Sequence, residues 1–187
     1  MSEKKFDPKK LNKLNDPNRI RDIPPEIIFS FIDPNNIKFA LDIGAGTGFF
    51  AKEFSSYLKD TYIIALDISM ELLLWTKQHV CHFNKRIIPV KMDEYHIPVK
   101  NSSVDLVYMI TLHHELADPI KILMEAKRVS KPNGRLLIID WKKGYNLEGP
   151  PQHLKYEVQD VILQLKKVGY KKIKEVIDLP KHFMIVA

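Results

Sequence analysis

The stretch from Phe39 to Phe50 constrains the fold of this chain more than any other part of it. Its sequence, FALDIGAGTGFF, is an apolar run that reaches the carboxylate of Asp42 and then breaks into glycines. Gly44 and Gly46 can adopt positive φ and let a ligand approach the backbone where a Cβ atom would clash. Asp42 can accept hydrogen bonds from a cationic or hydroxylated ligand. A buried strand, a glycine turn and a helix start in this order predict a site for a nucleotide-like ligand.

The spacing of the glycines separates two classes of ligand. A dinucleotide-binding turn has the pattern G-x-G-x-x-G, which would need its third glycine at Phe49. Here the third glycine is Gly48, which gives D-x-G-x-G-x-G. This pattern resembles the first motif of class I S-adenosylmethionine (SAM)-dependent methyltransferases. The alternative is a tight strand-to-helix turn that binds no ligand, so the motif needs support from the rest of the chain.

Length and composition limit the other possibilities. The chain has 187 residues, which predicts one domain over 1–187, with residues 1–23 as an irregular N-terminal arm or lid. Cys81 is the only cysteine, so a disulfide within the chain and a cysteine-based zinc site are excluded. Neither a membrane-length apolar run nor a secretory signal is found, and a cytoplasmic protein is expected.

The formal net charge of +6 comes from a lysine-rich composition that resembles that of proteins from hot environments. A lysine-covered surface explains this charge better than a nucleic-acid site, because no arginine cluster is interleaved with aromatic residues.

Apolar runs alternate with helical patterns along the chain. Near-continuous apolar runs are typical of strands buried in a parallel sheet, and the alternation predicts an α/β fold. Asp118-Pro119 predicts a helix start, and Lys131-Pro132-Asn133-Gly134 predicts a turn. The predicted strands are 39–42, 61–67, 86–92, 104–110, 135–140, 171–179 and 182–187, and the predicted helices begin near residues 24, 50, 69, 118 and 154.

The last two strands are separated only by Pro180-Lys181, which predicts an antiparallel hairpin. Such a hairpin at the end of a parallel sheet resembles class I methyltransferases, and implies a Rossmann-like three-layer sandwich with strand order 3-2-1-4-5-7-6 and an antiparallel strand 7. Residues 104–107, Asp118-Pro119 and residues 128–136 resemble further signatures of that family. The resemblance covers residues 25–140 and is strongest to small methyltransferases of the ubiquinone/menaquinone-biosynthesis type, the methyltransferase type 11 group.

The resemblance implies SAM as the cofactor and S-adenosylhomocysteine as its product. Asp67 resembles the acid that holds both ribose hydroxyls, which suits a group able to accept two hydrogen bonds. Asp93 resembles the acid that accepts from the adenine amino group, and Ile68 and Met92 could enclose the ring. Ordinary roles as a solvated loop acid or a turn residue remain open for Asp67 and Asp93. The residues assigned to the cofactor are Asp42, Gly44, Ala45, Gly46, Thr47, Gly48, Asp67, Ile68, Met92, Asp93, Glu94 and Met109.

His113-His114-Glu115 follows the fourth strand and faces the methyl-transfer pocket in this topology. Three interpretations compete for it. His114 could be the catalytic general base, since free histidine titrates near neutral pH. The pair could bind a metal, although adjacent histidines point apart on a regular backbone and no metal is predicted. His114 could also simply cap or pack. Trp141, after the fifth strand, either lines the acceptor site or packs on the surface.

These patterns predict a SAM-dependent methyltransferase that acts on an unidentified small-molecule acceptor. The alternatives are a SAM-binding protein of the same fold that acts on RNA or lacks catalysis, and an NAD-dependent oxidoreductase, which the position of Gly48 disfavours. No D/N-P-P-Y/F/W motif follows the fourth strand, where residues 109–112 read MITL, and nucleic acid is therefore the less favoured partner. A monomer or a homodimer is expected.

Overall fold

The computed structural model describes residues 8–187, and side chains are described for residues 11–176 and 179–187. Its centre is a seven-stranded sheet with the order β3-β2-β1-β4-β5-β7-β6. Strands β1 to β5 pair in parallel, and β7 runs antiparallel to both β5 and β6. The predicted strand order and the antiparallel last strand are confirmed. The strands are β1 Phe39–Ile43, β2 Tyr62–Asp67, β3 Ile87–Lys91, β4 Val104–Ile110, β5 Ser130–Trp141, β6 Lys174–Asp178 and β7 His182–Val186.

Helices cover both faces of the sheet and enclose two apolar clusters. One cluster packs the sheet against α3, α4 and the end of α5, and the other packs it against α6 and α7. The three layers match the predicted sandwich. The helices are α1 Pro8–Leu14, α2 Asn18–Asp22, α3 Pro25–Phe31, α4 Phe49–Phe54, α5 Met70–His79, α6 Pro119–Val129 and α7 Val158–Val168. None of the helices within residues 8–187 combines the length and the apolar character that a membrane crossing needs.

The carboxyl ends of the central strands meet at one edge of the sheet. Asp42 in β1 lies opposite Ala65 in β2 and opposite Tyr108 in β4. Strand order reverses between β1 and β4, and such reversal points open a crevice at the carboxyl ends of parallel strands. The fold therefore brings the ends of β1, β2 and β4 to a place where a ligand can bind.

The structure differs from the prediction at residues 131–134, which do not form a turn before β5. They lie inside β5 as a bulge, because Ser130 pairs with Val104 while Arg135 pairs with Leu106. A Cβ atom on Gly134 would lie 2.9 Å from the carbonyl oxygen of Val104, so the bulge leaves no room for a side chain there. The bulge arises from the pairing of β5 with β4, so it could not be predicted from residues 131–134 alone.

The N-terminal arm contains two short helices, α1 and α2. The part of the predicted arm before residue 8 lies outside the described residues. A buried Ile23 and a half-buried Ile20 anchor the second helix on the apolar cluster below it. The arm is therefore a packed part of the fold, placed above the end of β1.

Candidate functional site

The glycine turn after β1 requires glycine at each of its three positions. Gly44, Gly46 and Gly48 have φ of +71°, +57° and +70°, the left-handed region that side chains disfavour. Space is limiting as well, since a Cβ on Gly44 would lie 2.6 Å from the side chain of Leu112 and one on Gly48 would lie 2.7 Å from that of Thr76. The turn is therefore held tightly between the loop after β4 and helix α5.

Asp67, at the end of β2, fixes this turn from the side. Its Oδ2 accepts a hydrogen bond from the Gly46 amide at 2.8 Å, and its Oδ1 accepts one from the Ser69 amide at 2.8 Å. Burial raises the pKa of the Asp67 carboxyl, the backbone amides oppose the rise and the charge of Glu115 adds to it. Each carboxylate oxygen keeps a further lone pair, so Asp67 can still accept hydrogen bonds from a ligand.

Asp42 is a buried carboxylate with an unsatisfied oxygen. Only 3% of the residue is exposed, and its Oδ2 has no hydrogen-bond partner among the described residues. Burial raises the pKa of Asp42 well above its usual value; Asp67 contributes to the rise, and the Tyr108 hydroxyl and Arg19 oppose it. A buried polar atom without a partner costs free energy, which a ligand that donates hydrogen bonds can recover. The hydroxyl of Thr47 is in the same situation.

The end of β3 joins the same edge of the sheet. The Met92 amide donates to the Asp67 carbonyl oxygen at 3.1 Å, which places residues 92–94 beside the end of β2. Met92 is buried, Ile68 is 62% exposed, and the acids Asp93 and Glu94 are exposed. The structure thus brings these four predicted residues to the region of the glycine turn, and their contacts with a cofactor stay a prediction.

Met109 lies inside β4, near its end. Its side chain is completely buried, in the apolar cluster that also contains Leu41 and Ile43, on the sheet face covered by α6 and α7. The residues that follow β4 are Thr111 and Leu112, both half-buried. Contact of Met109 with the cofactor stays a prediction.

His114 and Asp140 form a hydrogen-bonded pair at the ends of β4 and β5. His114 Nδ1 lies 2.7 Å from Asp140 Oδ1, and the His114 amide donates to Asp140 Oδ2 at 3.0 Å. The Trp141 amide also donates to the Asp140 carboxylate, at 2.7 Å. Because the Asp140 carboxylate can only accept, we assign the ring proton of neutral His114 to Nδ1. The Nε2 atom is then the hydrogen-bond acceptor. This arrangement can serve a general base, with Asp140 orienting the ring.

The two adjacent histidines point in different directions. The ring of His113 lies 2.8 Å from the Gln164 side-chain oxygen in α7, and 5.0 Å from Tyr156 in an edge-to-face contact. Among the described residues, no cluster of three His, Cys, Asp or Glu side chains could hold a metal ion. The geometry therefore favours separate roles for His113 and His114 over a shared metal.

Trp141 packs at the end of β5. Its ring lies 4.3 Å from that of His182 and 6.3 Å from that of Tyr145, and it is half-buried. Burial lowers the pKa of His182 to about 4, so this histidine is neutral near pH 7. Both interpretations of Trp141, as part of an acceptor pocket or as a packing residue, are compatible with this position.

Sequence reasoning missed Arg19 and Thr111 as parts of this site. Arg19 comes from helix α2, and its guanidinium donates to the Thr111 hydroxyl at 3.3 Å. Thr111 has φ of +53°, an uncommon conformation for a residue other than glycine. The stretch from Asp140 to Lys143 was expected to face the pocket mouth, but the pairing of Asp140 with His114 was not predicted. The positions of Arg19 and Thr111 and the pairing of Asp140 depend on tertiary contacts that a single sequence does not show.

Comparisons with known proteins agree on one family. Residues 41–138 match the family described as "Methyltransferase domain". The chain is 33% identical to a SAM-dependent methyltransferase of known structure from Aquifex aeolicus, covering 97% of this chain and 98% of that one with a TM-score of 0.87.

Two curated relatives match part of the chain. Demethylmenaquinone methyltransferase of Chlamydia pneumoniae is 33% identical over 104 residues, 54% of this chain and 43% of the relative. A malonyl-acyl-carrier-protein O-methyltransferase of Hahella chejuensis is 32% identical over 97 residues, 52% of this chain and 34% of the relative. The chain thus spans less than half the length of either of these two relatives.

Proposed function

The chain belongs to the methyltransferase domain family, and we propose that it transfers the methyl group of SAM to a small-molecule acceptor. SAM is the cofactor. The observation that carries the proposal is the buried, partly unsatisfied carboxylate of Asp42 next to the left-handed glycine turn. A ligand with a positively charged, hydrogen-bonding end would complete this site.

The chemical character of the site fits SAM. Both Asp42 and Asp67 are mostly buried, and their pKa values are raised by burial and by neighbouring carboxylates. A cationic ligand nearby favours the charged form of both carboxyl groups, and SAM carries an ammonium group and a sulfonium centre. We assign the methionyl end to Asp42 and the glycine turn, with Gly44, Ala45, Gly46, Thr47 and Gly48. We assign the ribose to Asp67, and the adenine to Ile68, Met92, Asp93 and Glu94.

When bound, SAM supplies a methyl group that the positive sulfur already activates. The residues of this chain then contribute mainly by holding the acceptor in line, and such positioning can supply about 7–11 kcal/mol of the barrier. The Nε2 atom of His114 can accept the proton that the acceptor loses, while Asp140 holds the ring and stabilises its charge. His114 is therefore our candidate general base, and Asp140 its positioning residue.

A small acceptor is supported by the name of one relative, demethylmenaquinone methyltransferase. The name of the other relative gives its substrate as malonyl-acyl-carrier-protein, in which the acyl group is carried by a protein. The connection from β5 to α7, which would cover the acceptor, runs from Lys142 to Glu157.

Binding of SAM tests the first half of the proposal. Isothermal calorimetry should show one site for SAM, and Asp67→Asn should weaken the affinity by about 10- to 100-fold because one charged acceptor is lost. The matched control is Asp60→Asn. Asp60 is an acid with an 83% exposed side chain that precedes β2, whereas Asp67 ends that strand, and the control variant should bind SAM as the wild type does. No heat of binding at millimolar SAM would refute the proposal.

A further inference from the structure

Arg19 is a half-buried cation for which the described side chains offer no acidic partner. Its Nη1 donates to the Leu14 carbonyl oxygen at 2.7 Å and its Nη2 to the Thr111 hydroxyl at 3.3 Å. Both acceptors are neutral, and no carboxylate among the side chains of residues 11–176 and 179–187 forms an ion pair with it. Burial lowers the pKa of Arg19 to about 10, so the side chain is still charged near pH 7. A guanidinium has five N–H donors, and most of these are left for a ligand.

The guanidinium is held in a fixed place above the glycine turn. It lies 4.6 Å from the ring centre of Phe50 and 5.3 Å from that of Phe49, which are cation–π distances. Leu14, in the preceding helix α1, lies beside Gly46: a Cβ atom on Gly46 would lie 3.6 Å from the Leu14 side chain. The hydroxyl that Arg19 contacts belongs to Thr111, whose backbone has the uncommon positive φ. Strained residues of this kind tend to occur where a binding site requires them.

Arg19 and Asp42 lie near the same part of the site but form no ion pair with each other. Each influences the pKa of the other, so they are close, yet they form no ion pair. Asp42 has an oxygen without a partner, and Arg19 has donors without an anionic partner. A carboxylate and a guanidinium that share one site without pairing can bind the two oppositely charged groups of a zwitterion. The ammonium and carboxylate of an α-amino acid form such a zwitterion.

We infer that Arg19 binds the α-carboxylate of the methionyl group of SAM, while Asp42 binds its ammonium group. This inference rests on the proposed function, because it assigns the two charged ends of the same cofactor. It makes Arg19 a donor-site residue although it lies outside the residues that match the family, 41–138. Helices α1 and α2 then form a cap over the methyl donor, and Asp22 at the end of α2 fixes that cap to Lys181 at 2.8 Å.

Decarboxylated SAM provides the test, since it keeps the ammonium, the sulfonium and the adenosine but lacks the carboxylate. The wild type should bind SAM about 10- to 100-fold more tightly than decarboxylated SAM. Arg19→Gln should lose this preference by weakening SAM binding alone. Arg19→Lys should retain part of it, because lysine keeps the charge but loses the planar fork. Arg21→Gln is the matched control, an exposed arginine in the same helix, and it should keep the full preference.

Calorimetry with both ligands separates the outcomes. A preference that disappears in Arg19→Gln and persists in Arg21→Gln supports the inference. Equal weakening of both ligands in Arg19→Gln and Arg19→Lys would assign Arg19 to the stability of the cap alone and overturn it, and unchanged binding of both would overturn it too. Failure of the wild type to bind either ligand would instead reject the proposed function, and the inference with it.

Discussion

The pair of His114 and Asp140 shows how much a single residue's role depends on one partner. The histidine is placed by two hydrogen bonds to the same carboxylate, one from its ring and one from its amide. Its Nε2 lies 3.8 Å from a Glu115 oxygen, too far for a good hydrogen bond, so this nitrogen is free to face an acceptor. The carboxylate thus converts a packing residue into a candidate base.

Replacing the histidine should separate catalysis from cofactor binding. We expect His114→Asn to lower kcat by about 10²- to 10⁴-fold, the usual contribution of a general base, with little change in SAM affinity. Asp140→Asn should also lower kcat, because the ring of His114 then loses the carboxylate that orients it. Release of S-adenosylhomocysteine, followed with an acceptor found by screening, measures the rate.

His153→Asn, at an exposed histidine of the connection between β5 and α7, is the control and should keep wild-type turnover. Undiminished kcat in His114→Asn would return His114 to the packing role that the sequence also allowed.

The ionised side chain of Asp42 lowers the free energy of unfolding of the protein when no cofactor is bound. Its pKa is raised in the fold, so between the usual value near 4 and the raised one the folded chain binds more protons than the unfolded chain. The free energy of unfolding therefore falls as pH rises through this window. Ionisation of Asp42 therefore destabilises the fold in the absence of a ligand.

Asp42→Asn should consequently stabilise the ligand-free protein while it weakens SAM binding. We expect a gain of about 1–3 kcal/mol at pH 7, seen as a rise in Tm of a few degrees, and little difference near pH 4. SAM affinity should fall by about 10- to 100-fold. Thermal melting across pH, together with calorimetry, measures both effects. A lower Tm at pH 7 would show that the charge of Asp42 supports the fold.

At the scale of elements, strand β5 has the least predictable path. Its first residue pairs with β4, four residues bulge out, and regular pairing resumes at Arg135. Backbone atoms surround Gly134 at the end of the bulge. A Cβ atom on Gly134 would lie 2.9 Å from the Val104 carbonyl oxygen and 3.1 Å from the backbone nitrogen and oxygen of Lys131. Backbone atoms cannot move aside as a flexible side chain can.

Gly134→Ala should therefore destabilise the protein by about 1–3 kcal/mol, since overpacking forces backbone shifts. Asn133→Ala changes an exposed neighbour in the same bulge and should have an effect within about 0.5 kcal/mol. Urea denaturation of both variants compares them. Equal stability of Gly134→Ala and the wild type would mean that the bulge adapts freely.

The sequence predicted elements where local pattern and tertiary structure agree. Strand β4 has the predicted bounds and β1 ends one residue later than predicted, because a buried parallel strand is a continuous apolar run. Asp118 caps α6 as predicted, and its side chain accepts from the Lys121 amide. The bulge in β5 and the packing of α2 over the site depend on residues distant in the chain, such as Val104 and Thr111. The glycine turn could therefore be predicted from the sequence, whereas the position of Arg19 above it could not.

For the whole molecule, the position of the positive charge bears on its partners. Five exposed lysines lie between the end of α7 and the start of β6: Lys166, Lys167, Lys171, Lys172 and Lys174. Helix α7 begins after β5 at the carboxyl edge of the sheet and runs back, so these lysines lie at the opposite edge from the glycine turn. The largest local run of positive charge is therefore remote from the candidate site.

We expect RNA binding to be weak and confined to low ionic strength. Any affinity should come from this lysine cluster and fall steeply between about 50 and 200 mM salt. Changing Lys171 and Lys172 together to Gln should reduce it without altering SAM affinity. Filter binding across a salt series measures this. Tight RNA binding that survives physiological salt would favour an RNA acceptor.

The cap formed by α1 and α2 has a consequence for the timing of each reaction cycle. Leu14 and Arg19 lie over the glycine turn, and Asp22 fixes the cap to Lys181. On the assignment of Arg19 to the cofactor, S-adenosylhomocysteine retains the carboxylate that holds the cap closed, although its methyl group has gone. The product is then bound almost as tightly as the methyl donor, so we expect it to leave slowly and to compete with SAM for the site.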